Sequence, residues 1–141
     1  MITTLPTTLD QGAYDLTCAA IGADIYVFGA KTQDKLSLIY HFDSTTKTLT
    51  KLSVALIRPY AEMTCASIGT DIYLFGGRVG MGSSDAVNNQ IFKFDSITQT
   101  ITTLSTTMSS TGSRRACASI DTDIFMFGGV KGGTSSGGQT S

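Results

Sequence analysis

The sequence predicts an all-β fold assembled from repeated four-stranded antiparallel sheets. Three observations carry that reading. One segment is written three times: residues 17–30 read TCAAIGADIYVFGA, residues 64–77 read TCASIGTDIYLFGG, and residues 116–129 read ACASIDTDIFMFGG. Cys18, Cys65 and Cys117 mark the register, 47 and 52 residues apart. A period near 50 residues belongs to solenoids and propellers. Apolar runs of strand length alternate with turn residues. The 15 Gly, with frequent Thr, Ser and Ile, favour strands and turns over helices.

Each element follows from local sequence. In the first unit Thr17 to Ile21 is an apolar run that ends at a tight Gly22-Ala23-Asp24 turn. Ile25 to Phe28 is a second strand, rich in β-branched and aromatic residues, and Gly29 ends it. Leu38 to Phe42 is the third. A turn beginning at Asp43 leads into the fourth, Leu49 to Leu52. The second unit repeats the order as Thr64 to Ile68, Ile72 to Phe75, Ile91 to Phe94 and Ile101 to Leu104. The third unit has two strands, Ala116 to Ile120 and Ile124 to Phe127. A low-complexity stretch, GGVKGGTSSGGQTS, follows. At the start, residues 2–9 (ITTLPTTL) match residues 101–108 (ITTLSTTM), so the chain is expected to open with a fourth strand. The expected organisation is a leading outer strand and loop over 1–15, blades over 16–56 and 57–108, a half blade over 109–129, and a flexible tail over 130–141. The first two strands of each unit are apolar at nearly every position, as in sheets covered on both faces. Four-stranded sheets stacked around an axis meet that requirement, and that arrangement is a propeller.

Composition bounds the function classes. With 41% apolar and 15% charged residues in 141, the chain reads as one ordinary folded domain. A net charge of −1 offers no basic stripe for nucleic acid. No apolar run approaches the roughly 20 residues of a membrane-spanning helix. The cysteine spacings fit neither a disulfide framework nor a zinc ribbon. Each Cys is expected to fill a small apolar slot in a buried strand. Unpaired thiols and a start without secretory features point to the cytoplasm.

Gly-Gly follows an aromatic-bearing strand in Ile72-Tyr73-Leu74-Phe75-Gly76-Gly77 and in Ile124-Phe125-Met126-Phe127-Gly128-Gly129; the first copy ends in Phe28-Gly29-Ala30. An aromatic-Asp pair with a Thr three residues on recurs as Phe42-Asp43 with Thr46 and as Phe94-Asp95 with Thr98. Leu52 and Leu56, like Leu104 and Met108, follow as apolar positions. Over residues 2–129 these features resemble kelch repeats, the blades of kelch-type β-propellers. The downstream Trp of that family is absent, with Leu49 and Ile101 in its place. The resemblance implies antiparallel four-stranded blades in an incomplete ring. It also implies a long-loop face that captures protein partners, often through arginines. The glycines are expected to take positive φ where the backbone leaves the blade. Asp43 and Asp95 are expected to accept turn amides, and Asp24, Asp71 and Asp123 to do the same.

No catalytic set emerges. The remaining acids, Asp10, Asp15, Asp34, Glu62, Asp85 and Asp121, form no recognisable pair. His41 is the one histidine; it aligns with Lys93 and is expected to be exposed, which argues against a catalytic or metal role. The Gly-rich end lacks the Gly-Lys-Ser/Thr ending of a phosphate loop. No cofactor or metal is expected. Alternating strand directions put the tight turns on one face of the disc and the long two-to-three and four-to-one loops on the other. Lys31, Arg58, Arg78, Arg114 and Arg115 lie in the long loops. The second two-to-three loop, Arg78 to Gln90, is five residues longer and includes Met81, Asp85 and Asn88. The candidate partner-binding set is Arg58, Tyr60, Glu62, Arg78, Arg114 and Arg115, arginine being suited to bidentate recognition of carboxylates.

The expected function is a non-catalytic protein-binding or scaffold module. A structural subunit of a larger assembly is the alternative, and a sugar-active or specifier-type kelch enzyme a third. Two blades and parts of others leave sheet edges and apolar faces uncovered. The chain is therefore expected either to be part of a longer propeller or to form a homo-oligomer, with the leading strand of one copy beside the trailing strands of another.

Overall fold

Strand formation follows the repeat. The computed structural model describes residues 1–10, 12–30, 37–79 and 86–130. Lys31, Asp34, Met81, Asp85 and the tail beyond Val130 lie outside the described residues. The elements are β1 (Thr17–Ile21), β2 (Asp24–Ala30), β3 (Leu38–Asp43), β4 (Thr48–Lys51), β5 (Tyr60–Ala61), β6 (Thr64–Ile68), β7 (Asp71–Phe75), β8 (Arg78–Val79), β9 (Ala86–Val87), β10 (Gln90–Asp95), β11 (Thr100–Thr107), β12 (Ala116–Ile120) and β13 (Asp123–Phe127). Sheet order is β1-β2-β3-β4, then β6-β7-β10-β11, then β12-β13, with every pair antiparallel. A small sheet, β5-β8-β9, ties the loops together; its two-residue strands carry no periodicity that a sequence would reveal. The described sheets do not close into a ring.

Consecutive sheets pack face to face. Tyr26, Phe28 and Ile39 of the first sheet meet Cys65, Ile72, Leu74, Phe92 and Phe94 of the second in one buried cluster. Phe94 is fully buried, with Tyr26 and Phe28 ring centroids 5.2 and 5.3 Å away. The other face of the second sheet, with Thr64, Ala66 and Phe75, is buried on the side of β12 and β13. The same contact recurs at both junctions: Thr17 Oγ1 lies 3.2 Å from Cys65 Sγ, and Thr64 Oγ1 lies 3.1 Å from Cys117 Sγ. One repeat position shows what the packing does. Phe28 is 0% exposed, Phe75 8% and Phe127 60%. The residue is the same each time, and the presence of a following sheet decides its burial.

Four sequence expectations need correction. Only Cys65 is buried; Cys117 is half-buried and Cys18 exposed, because among the described residues no sheet packs on that face of β1. Burial pushes the Cys65 thiol up to about 12. Residues 2–9 form no strand. A fourth strand adds to a third, as β4 does to β3, and no described strand offers residues 2–9 that edge. Instead Leu9 and Ala13 pack on Leu38 and Tyr40. Tyr40 donates its hydroxyl to Asp10 at 2.5 Å, and Lys51 pairs with Asp10 at 3.1 Å. Asp24 and Asp71 do not hold turn amides. They reach across to the third strand, Asp24 to His41 at 2.7 Å and Asp71 to Lys93 at 2.9 Å. His41 is accordingly half-buried rather than exposed, stacked on Tyr26 with centroids 5.0 Å apart.

The other turn aspartates behave as expected. Asp43 accepts the amides of Thr45 and Thr46 at 2.7 and 3.1 Å, and Asp95 those of Ile97 and Thr98 at 2.9 and 3.0 Å. These amides, Thr46 and Thr98 foremost, hold both carboxyls below the usual range. The Tyr40 hydroxyl, then Lys51, does the same for Asp10. Glycine is required at the Gly76-Gly77 turn. Gly76 has φ +60°, and a Cβ there would sit 2.5 Å from the Gly112 carbonyl; Gly77 has φ +92° and donates its amide to that carbonyl at 3.0 Å. In the first unit Ala30 replaces the second glycine and stays in β2, paired with Leu38 across an irregular register.

Two measurements follow from these contacts. Gly76→Ala is expected to cost about 3 kcal/mol in urea unfolding, from backbone strain and the clash with Gly112. Gly22→Ala, at φ +59° with open space around it, is expected to cost about 1 kcal/mol, from strain alone. Equal losses would contradict the docking of the Gly-Gly turn. A carboxyl with a depressed folded pKa contributes stability that is present above its unfolded value of about 4 and is lost as pH falls through the folded value. The urea midpoint is therefore expected to drop below about pH 4. Asp95→Asn keeps an acceptor for the turn amides and is expected to flatten part of that drop; superimposable acid limbs would refute the assignment.

Candidate functional site

Two long loops of the middle unit build a cleft on one face. The four-to-one loop runs from β4 to β6 and the two-to-three loop from β7 to β10. They are joined by backbone pairing of Tyr60 with Val79 and of Ala61 with Arg78. The third unit repeats this link as Ser113 with Val130. Pro59 restricts Arg58 to an extended backbone, and the Arg58 carbonyl accepts the Ser37 hydroxyl. Asn88 donates its side-chain amide to the carbonyls of Gly76 and Gly77, both at 3.2 Å, and accepts the Gln90 amide at 2.9 Å. That clamp fixes the second loop at its base.

The cleft has a volume of about 500 Å³. Ile57, Val79 and Ala86 give it apolar walls, and Arg58, Asn88, Asn89 and Gln90 polar ones. Tyr60 lies at its floor. The ring is 2% exposed and packs edge-on against Phe92 at 4.9 Å, while its hydroxyl donates to Gln90 Oε1 at 2.8 Å. Burial pushes the Tyr60 phenol up, and the nearby Arg58 charge opposes that shift. The Arg58 side chain is exposed and makes no ion pair among the described residues. An apolar slot of this size lined by an exposed guanidinium suits an extended segment bearing a carboxylate.

A second constellation crosses from one unit to the next. Asp15, Glu62 and Arg114 hold the same repeat position and share a left-handed backbone, with φ of 58°, 56° and 56°. Side chains other than glycine seldom adopt it, and such residues concentrate at functional or tightly determined sites. The Arg114 amide donates to the Glu62 carbonyl at 3.1 Å, and its guanidinium to Glu62 Oε1 at 2.7 Å. The Glu62 side chain is only 8% exposed, against 64% for Arg114. Among the described residues, Glu62 Oε2 is buried with no hydrogen-bond partner, and so is Arg78 Nε.

The six sequence candidates thus separate. Arg58 and Tyr60 share the cleft, and Glu62 and Arg114 form the cross-unit pair. Arg78 lies on β8 next to the cleft-lining Val79. Arg115 is folded into its own loop. Its guanidinium reaches Met108 Sδ at 3.3 Å and Ser110 Oγ at 3.0 Å, and it fills the space where a Cβ on Gly112 would stand. Sequence reasoning did not single out Ile57, Val79, Ala86, Asn89 or Gln90, which no charge or repeat feature marks. Among the described residues no cluster of His, Cys, Asp and Glu could hold a metal ion.

Comparison with known proteins agrees with this architecture. No curated protein matches the chain. The structure of YjhT, a kelch-type propeller, superimposes with a TM-score of 0.76 at 22% sequence identity. The match covers 90% of this chain and 36% of that one, so the chain spans about a third of that structure. At this identity the likeness concerns the fold alone. The Kelch-repeats domain described for KLHDC2/KLHL20/DRC7 matches residues 5–138. Kelch-repeat domains serve in general as protein-interaction scaffolds. With residues 5–138 matched, this protein belongs to the Kelch-repeat family.

Proposed function

We propose that the chain is a non-catalytic protein-binding module whose long-loop face holds an extended, carboxylate-bearing segment of a protein partner. The observation that carries the reading is the cleft between the two long loops, with Arg58 exposed and without an ion pair among the described residues, and the Tyr60–Gln90 pair at its floor. Glu62 Oε2 and Arg78 Nε support it: each is buried without a partner among the described residues, and a buried polar atom left unsatisfied costs about 1–3 kcal/mol. A partner supplying a donor to one and an acceptor to the other would recover that cost. Arg114 fixes Glu62 in this scheme, and Arg115 holds the loop beside it. The ring is completed by further copies or by further chain. Three cysteines outside any disulfide fit a reducing compartment such as the cytoplasm. The reading assigns no role to nucleic acid, to a membrane or to a cofactor.

The test is selection of peptides from a random display library on the folded chain. Selected peptides are expected to carry an acidic side chain or a free C-terminus. Their affinity is expected to fall at least about tenfold with Arg58→Ala, the scale of one charge-assisted contact. Lys47→Ala, in a tight turn on the opposite face, is expected to leave it unchanged. Peptides without carboxylate bias, or insensitive to Arg58→Ala, would remove the cleft as the binding site.

A further inference from the structure

Each internal junction joins one kind of sheet face to another. The leading face of a sheet carries Thr17, Ala19, Tyr26 and Phe28 in the first unit, and Thr64, Ala66, Tyr73 and Phe75 in the second. The trailing face carries Cys65, Ser67, Ile72 and Leu74 in the second unit, and Cys117, Ser119, Ile124 and Met126 in the third. Both junctions seat a leading face on a trailing one in the same register, as the two Thr–Cys contacts of 3.2 and 3.1 Å show. Among the described residues one face of each kind is left over. The leading face of β12-β13 exposes Ile120 at 64%, Phe125 at 47% and Phe127 at 60%. The trailing face of β1-β2 exposes Cys18 and Ala20.

We infer that these two faces join between copies: β12-β13 of one copy seats on the open inner half of the first sheet of a second. The inference deepens the completion step of the function proposed above. Three observations commit it to a second copy. The left-over faces are the two halves of a junction that the chain already makes twice. Neither carries a charge at its centre: Ala116, Ala118, Phe125 and Phe127 would meet Cys18, Ala20, Ile25 and Val27. The outer half of the first sheet is already covered, by Leu9 and Ala13 on Leu38 and Tyr40. The uncovered remainder therefore corresponds to the inner strands, and β12-β13 is a pair of inner strands. Leu9 holds the repeat position of Leu56, which is buried in the core. Leu9 thus lies where the chain leaving the last strand of an arriving blade belongs, as Leu56 does after β4.

The register makes the test specific. Ala116 stands at the repeat position of Thr17 and Thr64, so in the assembly it faces Cys18 of the second copy. Ala116→Cys is expected to form an intermolecular disulfide with Cys18 under mild oxidation, because the hydroxyls at this position already lie within contact of the facing sulfur. Cys65, buried and with its pKa pushed up to about 12, does not compete. The covalent product is expected to vanish in the Ala116→Cys, Cys18→Ser double variant and to be missing from the wild type. Light scattering on the wild-type chain is expected to give a mass above one chain. Phe125→Lys is expected to weaken association at least about tenfold with the strand signature in circular dichroism retained. A one-chain mass for folded wild type at tens of micromolar overturns the inference, as does cross-linking that survives loss of Cys18. Arg58→Ala is expected to leave the mass and the cross-link unchanged, so failure of assembly and failure of peptide capture are separate results.

Discussion

The structure depends on covering both faces of each sheet. A strand pair such as β6-β7 carries apolar residues on its two sides, and neither side has a polar face to turn to water. Stacking the sheets buries Phe94 between Tyr26 and Phe28 on one flank of the middle sheet, and Phe75 and Thr64 on the other. Burying a side chain of this size contributes about 1.5–3 kcal/mol, so the middle sheet gains from both sides and the outer sheets from one. The steep change in exposure from Phe28 to Phe127 is the direct record of that rule. Local propensity selects strands; the neighbouring sheet decides whether they are buried.

The same stacking positions the long-loop face. Because each unit repeats with a fixed register, its long loops emerge beside those of the next. The Gly76-Gly77 turn docks on the Gly112 carbonyl, and the Arg114 guanidinium meets Glu62 across the junction. The cleft at Arg58 and Tyr60 is therefore framed by backbone pairing between β5 and β8 rather than by free loops. Its floor is a core residue, since Tyr60 packs on Phe92 and donates its hydroxyl to Gln90. A rigid base with a charged lip suits recognition of extended polypeptide.

The repeat made the ten regular strands legible, because each element was read against its copies. Asp43 and Asp95 were legible for the same reason: an Asp after an aromatic, before a Thr-rich turn, has one local use. The misreadings were tertiary. Asp24 and Asp71 hold turn positions, but the basic side chain diagonally across on the third strand engages each carboxylate, and only the alignment of His41 with Lys93 hinted at it. Cys18, Cys65 and Cys117 are one residue in three environments, which a periodic sequence cannot distinguish. Arg115 looked like a loop cation available to a partner. Its burial under the loop depends on the absent Cβ atoms of Gly112 and Gly129, a fit visible only in three dimensions. The cleft escaped notice because Ile57, Val79 and Gln90 are unremarkable alone and are gathered by the β5-β8 pairing.

Amide hydrogen exchange tests the central claim most directly, at a dilution where the chain has a one-chain mass. Exchange reads the local opening free energy of each strand. If two-sided coverage sets stability, β7 and β10 are expected to be the slowest, β2 and β3 intermediate, and β12 and β13 the fastest of the regular strands. Protection of β12 and β13 equal to that of β7 in a single chain would contradict the account, because hydrogen bonding within the sheet would then suffice without the neighbour.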